Sequence, residues 1–162
     1  MKSTLSPPLK GLITALLMIG IVLFIYFKRD TASPTYQYLI YGVYAVGILW
    51  TLFDYRRSAA FTGKFGGLFA QGFRCFIIVT IAMVIFTGVF SAMHPEFAEE
   101  NSQAYKAELI KQKQKTPDEI DRETADYKKQ YTLRLVSVSI FGYLIIGAGV
   151  TALGSALLTR RS

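Results

Sequence analysis

Residues 11–27 read GLITALLMIGIVLFIYF, an unbroken apolar run with Lys10 before it and Lys28 and Arg29 after it. A helix of that length crosses a hydrocarbon core of ~30 Å with slight thinning of the bilayer or snorkelling of the flanking lysines. A cleaved signal peptide is the rival reading, because Lys2 and Lys10 resemble a positive leader. The run is longer than a leader's apolar region, however, and it closes on Phe24, Ile25, Tyr26 and Phe27 with no small-residue cleavage site behind it. The expectation is an uncleaved first span.

Three more runs follow the same logic. Pro34 ends a short polar link, and residues 36–53 form a second span closed by Asp54, Tyr55, Arg56 and Arg57. So tight a link makes the first two helices antiparallel neighbours. Gly63, Gly66 and Gly67 precede a third span at residues 68–91, with Arg74 near its start, where a long side chain can snorkel to headgroups. Phe61, Phe65, Phe69 and Phe73 repeat every four residues, an aromatic ridge expected to lie in the interface on the turns before the span proper. The fourth span is residues 135–158, followed at once by Arg160 and Arg161. Along it run two rows of small residues, Gly147, Thr151 and Ser155 beside Ala148, Ala152 and Ala156. Such rows let a neighbouring backbone come close, either inside this bundle or across a homo-oligomer seam.

Composition agrees with a membrane chain. Of 162 residues 52% are hydrophobic and only 18% charged, and the charge is segregated from the apolar runs. The net charge of +7 does not point to nucleic acid, because the bases sit beside membrane spans rather than on one soluble face. With four spans, the termini and the link between spans two and three share a side. That side holds Lys2, Lys10, Arg56, Arg57, Lys64, Arg74, Arg160 and Arg161 against the single acid Asp54. A basic excess in short loops marks the cytoplasm, so both termini are expected inside and the long loop outside. Tyr26, Tyr36 and Tyr38 would then mark the outer interface, Trp50 and Tyr55 the inner one.

The loop at residues 92–134 carries eight bases and nine acids and reads as a helical hairpin, placed at residues 95–133. Pro95 suits the first position of a helix. Thr116, Pro117, Asp118 and Glu119 match a capping box, in which the threonine oxygen and the glutamate carboxylate each accept from the other residue's backbone N–H. Acids open each segment and lysines close it, as the helix macrodipole favours. Folding back would set the basic end of one helix on the acidic start of the other. Ile120, Tyr127 and Tyr131 form a stripe leading into Leu135, so the second helix is expected to run into the last span as a rod of about 64 Å. A solvated, fluctuating loop is the alternative.

These features together resemble a bacterial inner-membrane family catalogued as a domain of unknown function, number four-one-nine-nine. The residues that carry the likeness are Tyr55 and Arg56, the run from Phe69 to Arg74, Pro95 and Glu96, the capping residues from Thr116 to Ile120, and the glycine-bearing last span with its paired basics. The resemblance implies a four-span protein of the bacterial inner membrane. It implies no activity, ligand or catalytic residue.

Candidate chemistry is sparse. No Asp or Glu falls within the apolar runs, which disfavours proton or sodium coupling through an intramembrane carboxylate. His94, the only histidine, reads as a turn residue beside Pro95 rather than a metal ligand. Cys75, the only cysteine, reads as a packed small residue, its apolar setting opposing thiolate formation beside Arg74. Arg74 can snorkel, hold an anionic headgroup, or pair with Asp54. Tyr41, Tyr44, Thr14, Thr51, Thr80 and Thr87 can line a small polar cavity or bond to their own helices.

The expectation is therefore an all-α integral membrane four-helix bundle with a long extramembrane helical hairpin, a single membrane domain spanning residues 1–162. No catalytic, metal or cofactor site is expected. The function expected is that of a non-enzymatic accessory subunit in the lipid bilayer, docking a protein partner through residues 95–133. A small oligomeric transporter or channel is the alternative, because four spans alone rarely enclose a conduit.

Overall fold

The computed structural model describes residues 5–28 and 35–160. Lys2, Arg29, Asp30, Pro34 and Arg161, which entered the charge and turn readings, lie outside the described residues. Within them the chain is all-α, with five helices and no strand: α1 (Pro7–Phe27), α2 (Thr35–Arg56), α3 (Phe65–Met93), α4 (Pro95–Gln112) and α5 (Pro117–Arg160). All but α4 contain a window long and apolar enough to cross a bilayer, which makes this a multi-pass membrane protein. The large side chains Leu16, Phe24, Val46, Ile81 and Leu153 are each more than half exposed. Water does not tolerate apolar faces of that extent, whereas lipid chains cover them without cost.

Helix ends follow local chemistry. Ser6 and Pro7 start α1 a turn before its apolar run, because a proline at the first helical position gives up an N–H that has no intrahelical acceptor there. Phe65, Phe69 and Phe73 belong to α3 itself, stacked at 5.7 and 6.4 Å between ring centroids. From Phe65 onward the ridge thus lies on the first turns of one continuous helix. Phe61 stays in the link, its ring 5.9 Å from that of Tyr55.

The chain packs as two compact units. The first combines Met1–Met83 with Ile140–Ser162. Its helices meet at small residues. Thr14 of α1 lies against Gly47 of α2, where any side chain would overlap it. Gly11 backs onto α3 so closely that an added Cβ would lie 2.6 Å from the Cys75 carbonyl oxygen. On α5, Gly147 accommodates Tyr44 and Phe76, while Thr151 and Leu52 close over Gly72. The row Gly147, Thr151 and Ser155 is therefore buried inside the bundle, and the parallel row of Ala148, Ala152 and Ala156 is half-buried to exposed. Close backbone approach at small residues is how spans gain dispersion contact when lipid offers no hydrophobic drive.

The second unit is Val84–Ser139. His94 alone separates α3 from α4, in a non-helical conformation, with Pro95 at the start of the new helix. Its ring lies 4.5 Å from that of Phe90 and 5.7 Å from that of Phe97. α4 and the first part of α5 lie antiparallel. Ser102, Leu109 and Ile120 are buried there, and Tyr105 stacks on Tyr127 at 4.5 Å. Lys113 ends α4 in the left-handed region at φ 51°, and Thr116 starts α5 through the capping box: its N–H donates to Glu119 Oε2 at 2.8 Å, and the Glu119 N–H donates back to Thr116 Oγ1 at 3.4 Å. From Pro117, α5 runs without a break to Arg160.

Candidate functional site

The hydroxyls inside the first unit divide into two kinds. Thr14 and Thr51 donate to the carbonyls of Lys10 and Gly47 on their own helices, at 2.8 and 3.1 Å. Tyr44 instead reaches across the bundle. Its fully buried hydroxyl donates to the Tyr143 carbonyl at 3.1 Å and lies 3.3 Å from Thr80 Oγ1. Tyr41 meets Tyr143 edge to face at 6.0 Å. These groups are packed against one another as crosslinks between helices. Thr87 is half-buried farther along α3. Thr151 Oγ1 and Ser155 Oγ are buried with no hydrogen-bond partner among the described residues.

The charge at the end of this unit is arranged differently from the sequence expectation. Asp54 does not pair with Arg74; it pairs with Lys10 of α1. Arg74 lies on the exposed side of α3, because the buried stripe of that helix runs through Leu68, Gly72, Cys75 and Val79 and Arg74 falls off it. Lys10 is only 3% exposed, with its ammonium 5.6 Å from the centre of the Trp50 ring. A lysine so buried needs a counter-charge, and Asp54 supplies it. Beside the pair opens a cavity of about 210 Å³ reached by Ser6, Tyr55, Ser58 and Gln71. Cys75 is fully buried nearby, its thiol 3.9 Å from the Gly47 carbonyl oxygen, and acts as a packed small residue.

The second unit presents a different surface. Lys128 pairs with Glu99, Lys106 with Asp121 at 2.6 Å, and Lys115 with Glu123 at 2.6 Å. The hydrogen bond from Lys128 holds the Glu99 carboxyl below its ordinary value, and the Thr116 backbone N–H does the same for Glu119. Glu123 raises the Lys115 ammonium above its ordinary value by hydrogen bonding. Where α4 turns into α5, Lys106, Lys113, Lys115 and Asp121 surround an apolar floor of Ile110, Pro117 and Ile120, enclosing about 500 Å³. Ile110 is 54% exposed although it belongs to that floor. His94, at the other end of α4, bonds through Nδ1 to Glu96 Oε1 at 2.7 Å. Among the described residues no three metal-ligating side chains gather.

Sequence reasoning missed the pairing of Lys10, the cavity residues Ser6, Ser58 and Gln71, and the recess at the α4–α5 turn. A signal for the first existed, since Lys10 shares a helix face with Gly11, Thr14 and Met18, the inward stripe of α1.

A family model described as Protein of unknown function (DUF4199) matches residues 9–161. No curated protein and no solved structure matches the chain.

Proposed function

Because the chain belongs to the DUF4199 family, a family whose description carries no activity, we propose from its own surfaces that it is a non-enzymatic accessory protein of the bacterial inner membrane. In this reading the antiparallel pair of α4 and α5 is an extramembrane helical hairpin that docks a partner protein. The observation that carries it is the recess at the α4–α5 turn, with its exposed Ile110 and a rim in which Lys106 is paired with Asp121 and Lys115 with Glu123, leaving Lys113 outside those pairs.

An apolar floor beside Lys113, inside a rim of lysines whose other two members hold carboxylates, suits a segment that brings one apolar anchor and an acidic side chain for Lys113. The anchor supplies the affinity, while the rim steers the approach and selects the partner. The side is set by charge. Lys10, Arg56, Arg57, Lys64, Arg74 and Arg160 flank the spans on the termini's side against Asp54 alone. That asymmetry supports termini in the cytoplasm and a hairpin on the outer side.

The test is in-cell crosslinking, mild-detergent purification and mass spectrometry on the intact protein and on one lacking residues 96–131. A partner that disappears with the deleted segment supports docking. Crosslinks confined to copies of this chain would sink it and favour a small oligomeric transporter or channel.

A further inference from the structure

The ion pair of Lys10 and Asp54 has bonding capacity left over, and that capacity adjoins a cavity. A lysine ammonium has three donors, yet the only hydrogen bond that Lys10 Nζ makes among the described residues is to Asp54 Oδ2. The other carboxylate oxygen of Asp54 has no partner there, and the Asp54 side chain keeps 30% of its surface exposed. Ser6 forms no capping bond with its side chain, and the Gln71 amide makes no hydrogen bond among the described residues. Donors and acceptors of both signs thus converge on a cavity of about 210 Å³, polar and roomy enough for a small headgroup.

A plain structural pair would be better replaced by apolar residues, since two buried charges recover their desolvation cost only with good geometry and further hydrogen bonds. A ligand of alternating charge would complete that set. An oxyanion beside Lys10 and an ammonium beside Asp54 turn a pair into a closed quartet, with every added donor meeting an acceptor. The surroundings choose the source. Leu9, Leu12, Trp50 and Phe53, on the same ends of α1 and α2, are each about two-fifths exposed or more, an apolar and aromatic border of the kind that sits at headgroup depth.

We propose that this cavity binds the headgroup of a phospholipid that carries both a phosphate and a primary ammonium, with Lys10 taking the phosphate and Asp54 the ammonium. The acyl chains run along the exposed apolar faces of α1 and α2. A quaternary ammonium fits poorly, because it has no N–H to give Asp54, and a glycerol headgroup brings no cation to the second carboxylate oxygen of Asp54.

The full-length protein, purified in mild detergent, is titrated with phosphatidylethanolamine, phosphatidylcholine and phosphatidylglycerol and read by native mass spectrometry. The expected result is one retained phosphatidylethanolamine per chain, bound about tenfold or more tightly than either other lipid, the worth of one charge-assisted hydrogen bond. Lys10→Met and Asp54→Asn should each abolish that preference. Ala60→Leu fills the cavity from its wall without touching the pair, and should weaken retention by a similar factor in a protein whose circular dichroism is unchanged. Equal retention of the three lipids, or undiminished phosphatidylethanolamine retention in Ala60→Leu, overturns the proposal. Free phosphoethanolamine displacing the lipid at comparable concentration overturns it too, since the site would then serve a water-borne zwitterion.

Discussion

Lys10 at the end of the first turn of α1 and Asp54 on the last turn of α2 form an ion pair beside the Trp50 ring; both border the cavity, but the lysine is buried while the carboxylate is partly exposed. This asymmetry orders the mutants. Asp54→Asn leaves a buried ammonium without its partner and should cost about 3–5 kcal/mol, the range for breaking a buried pair. Lys10→Met leaves a carboxylate that can still reach water and should cost less. The double variant should recover much of the loss, so that a double-mutant cycle of detergent-unfolding free energies shows strong coupling.

Gly147 is expected to tolerate no side chain. An added Cβ would overlap the Tyr44 hydroxyl and lie 2.8 Å from Phe76. Gly147→Ala should therefore destabilise by about 1–3 kcal/mol through overpacking, measured by unfolding in detergent. Gly149, with nothing within 4 Å of its added Cβ, is the control on the same helix and should be nearly neutral to alanine.

Thr116→Ala removes the acceptor for the Glu119 N–H and should cost about 1 kcal/mol at the start of α5. Hydrogen exchange should quicken over the first turns after Pro117, while amides near Tyr143 and Gly147 keep their protection.

The contacts between α4 and α5 should weaken in acid. Glu99 and Glu119 are held below their ordinary value of 4.5, by the Lys128 hydrogen bond and the Thr116 N–H respectively. Carboxyls depressed on folding contribute stability that is present above 4.5 and is lost as pH falls through their lower folded values. The Lys115 bond behaves in the opposite sense: it is fully present below 10.5 and is lost only above it. Distances between spin labels on Ala107 and Ala125 should stay constant from neutral pH down to about 4.5 and broaden below it. Glu99→Gln should remove part of that acid response.

The apolar runs were legible because lipid demands long uninterrupted stretches, and no tertiary detail alters them. Pro95 and the Thr116–Glu119 box were legible because they act within one turn of backbone. Helix rotation was not legible in the same way. Asp54 lies between two basic candidates, Lys10 and Arg74, and choosing between them requires knowing which face of each helix is buried. The small and apolar stripe of Leu68, Gly72, Cys75 and Val79 carries that information and turns Arg74 outward. The two small rows on α5 posed the same problem, and bulky partners solved it, since Tyr44, Phe76 and Leu52 claim the glycine-bearing row. The α4–α5 recess depends on where Lys113 turns the chain, a left-handed residue with no glycine to announce it.

The most direct test of docking is photo-crosslinking from a benzophenone residue at position 110 in living cells, compared with the same probe at the exposed position 145 on the last span. Docking predicts one discrete protein adduct from position 110 that is lost with the charge reversals Lys113→Glu and Lys115→Glu, and none of that mass from position 145. A position 110 that labels no protein, or an adduct indifferent to both reversals, would contradict it.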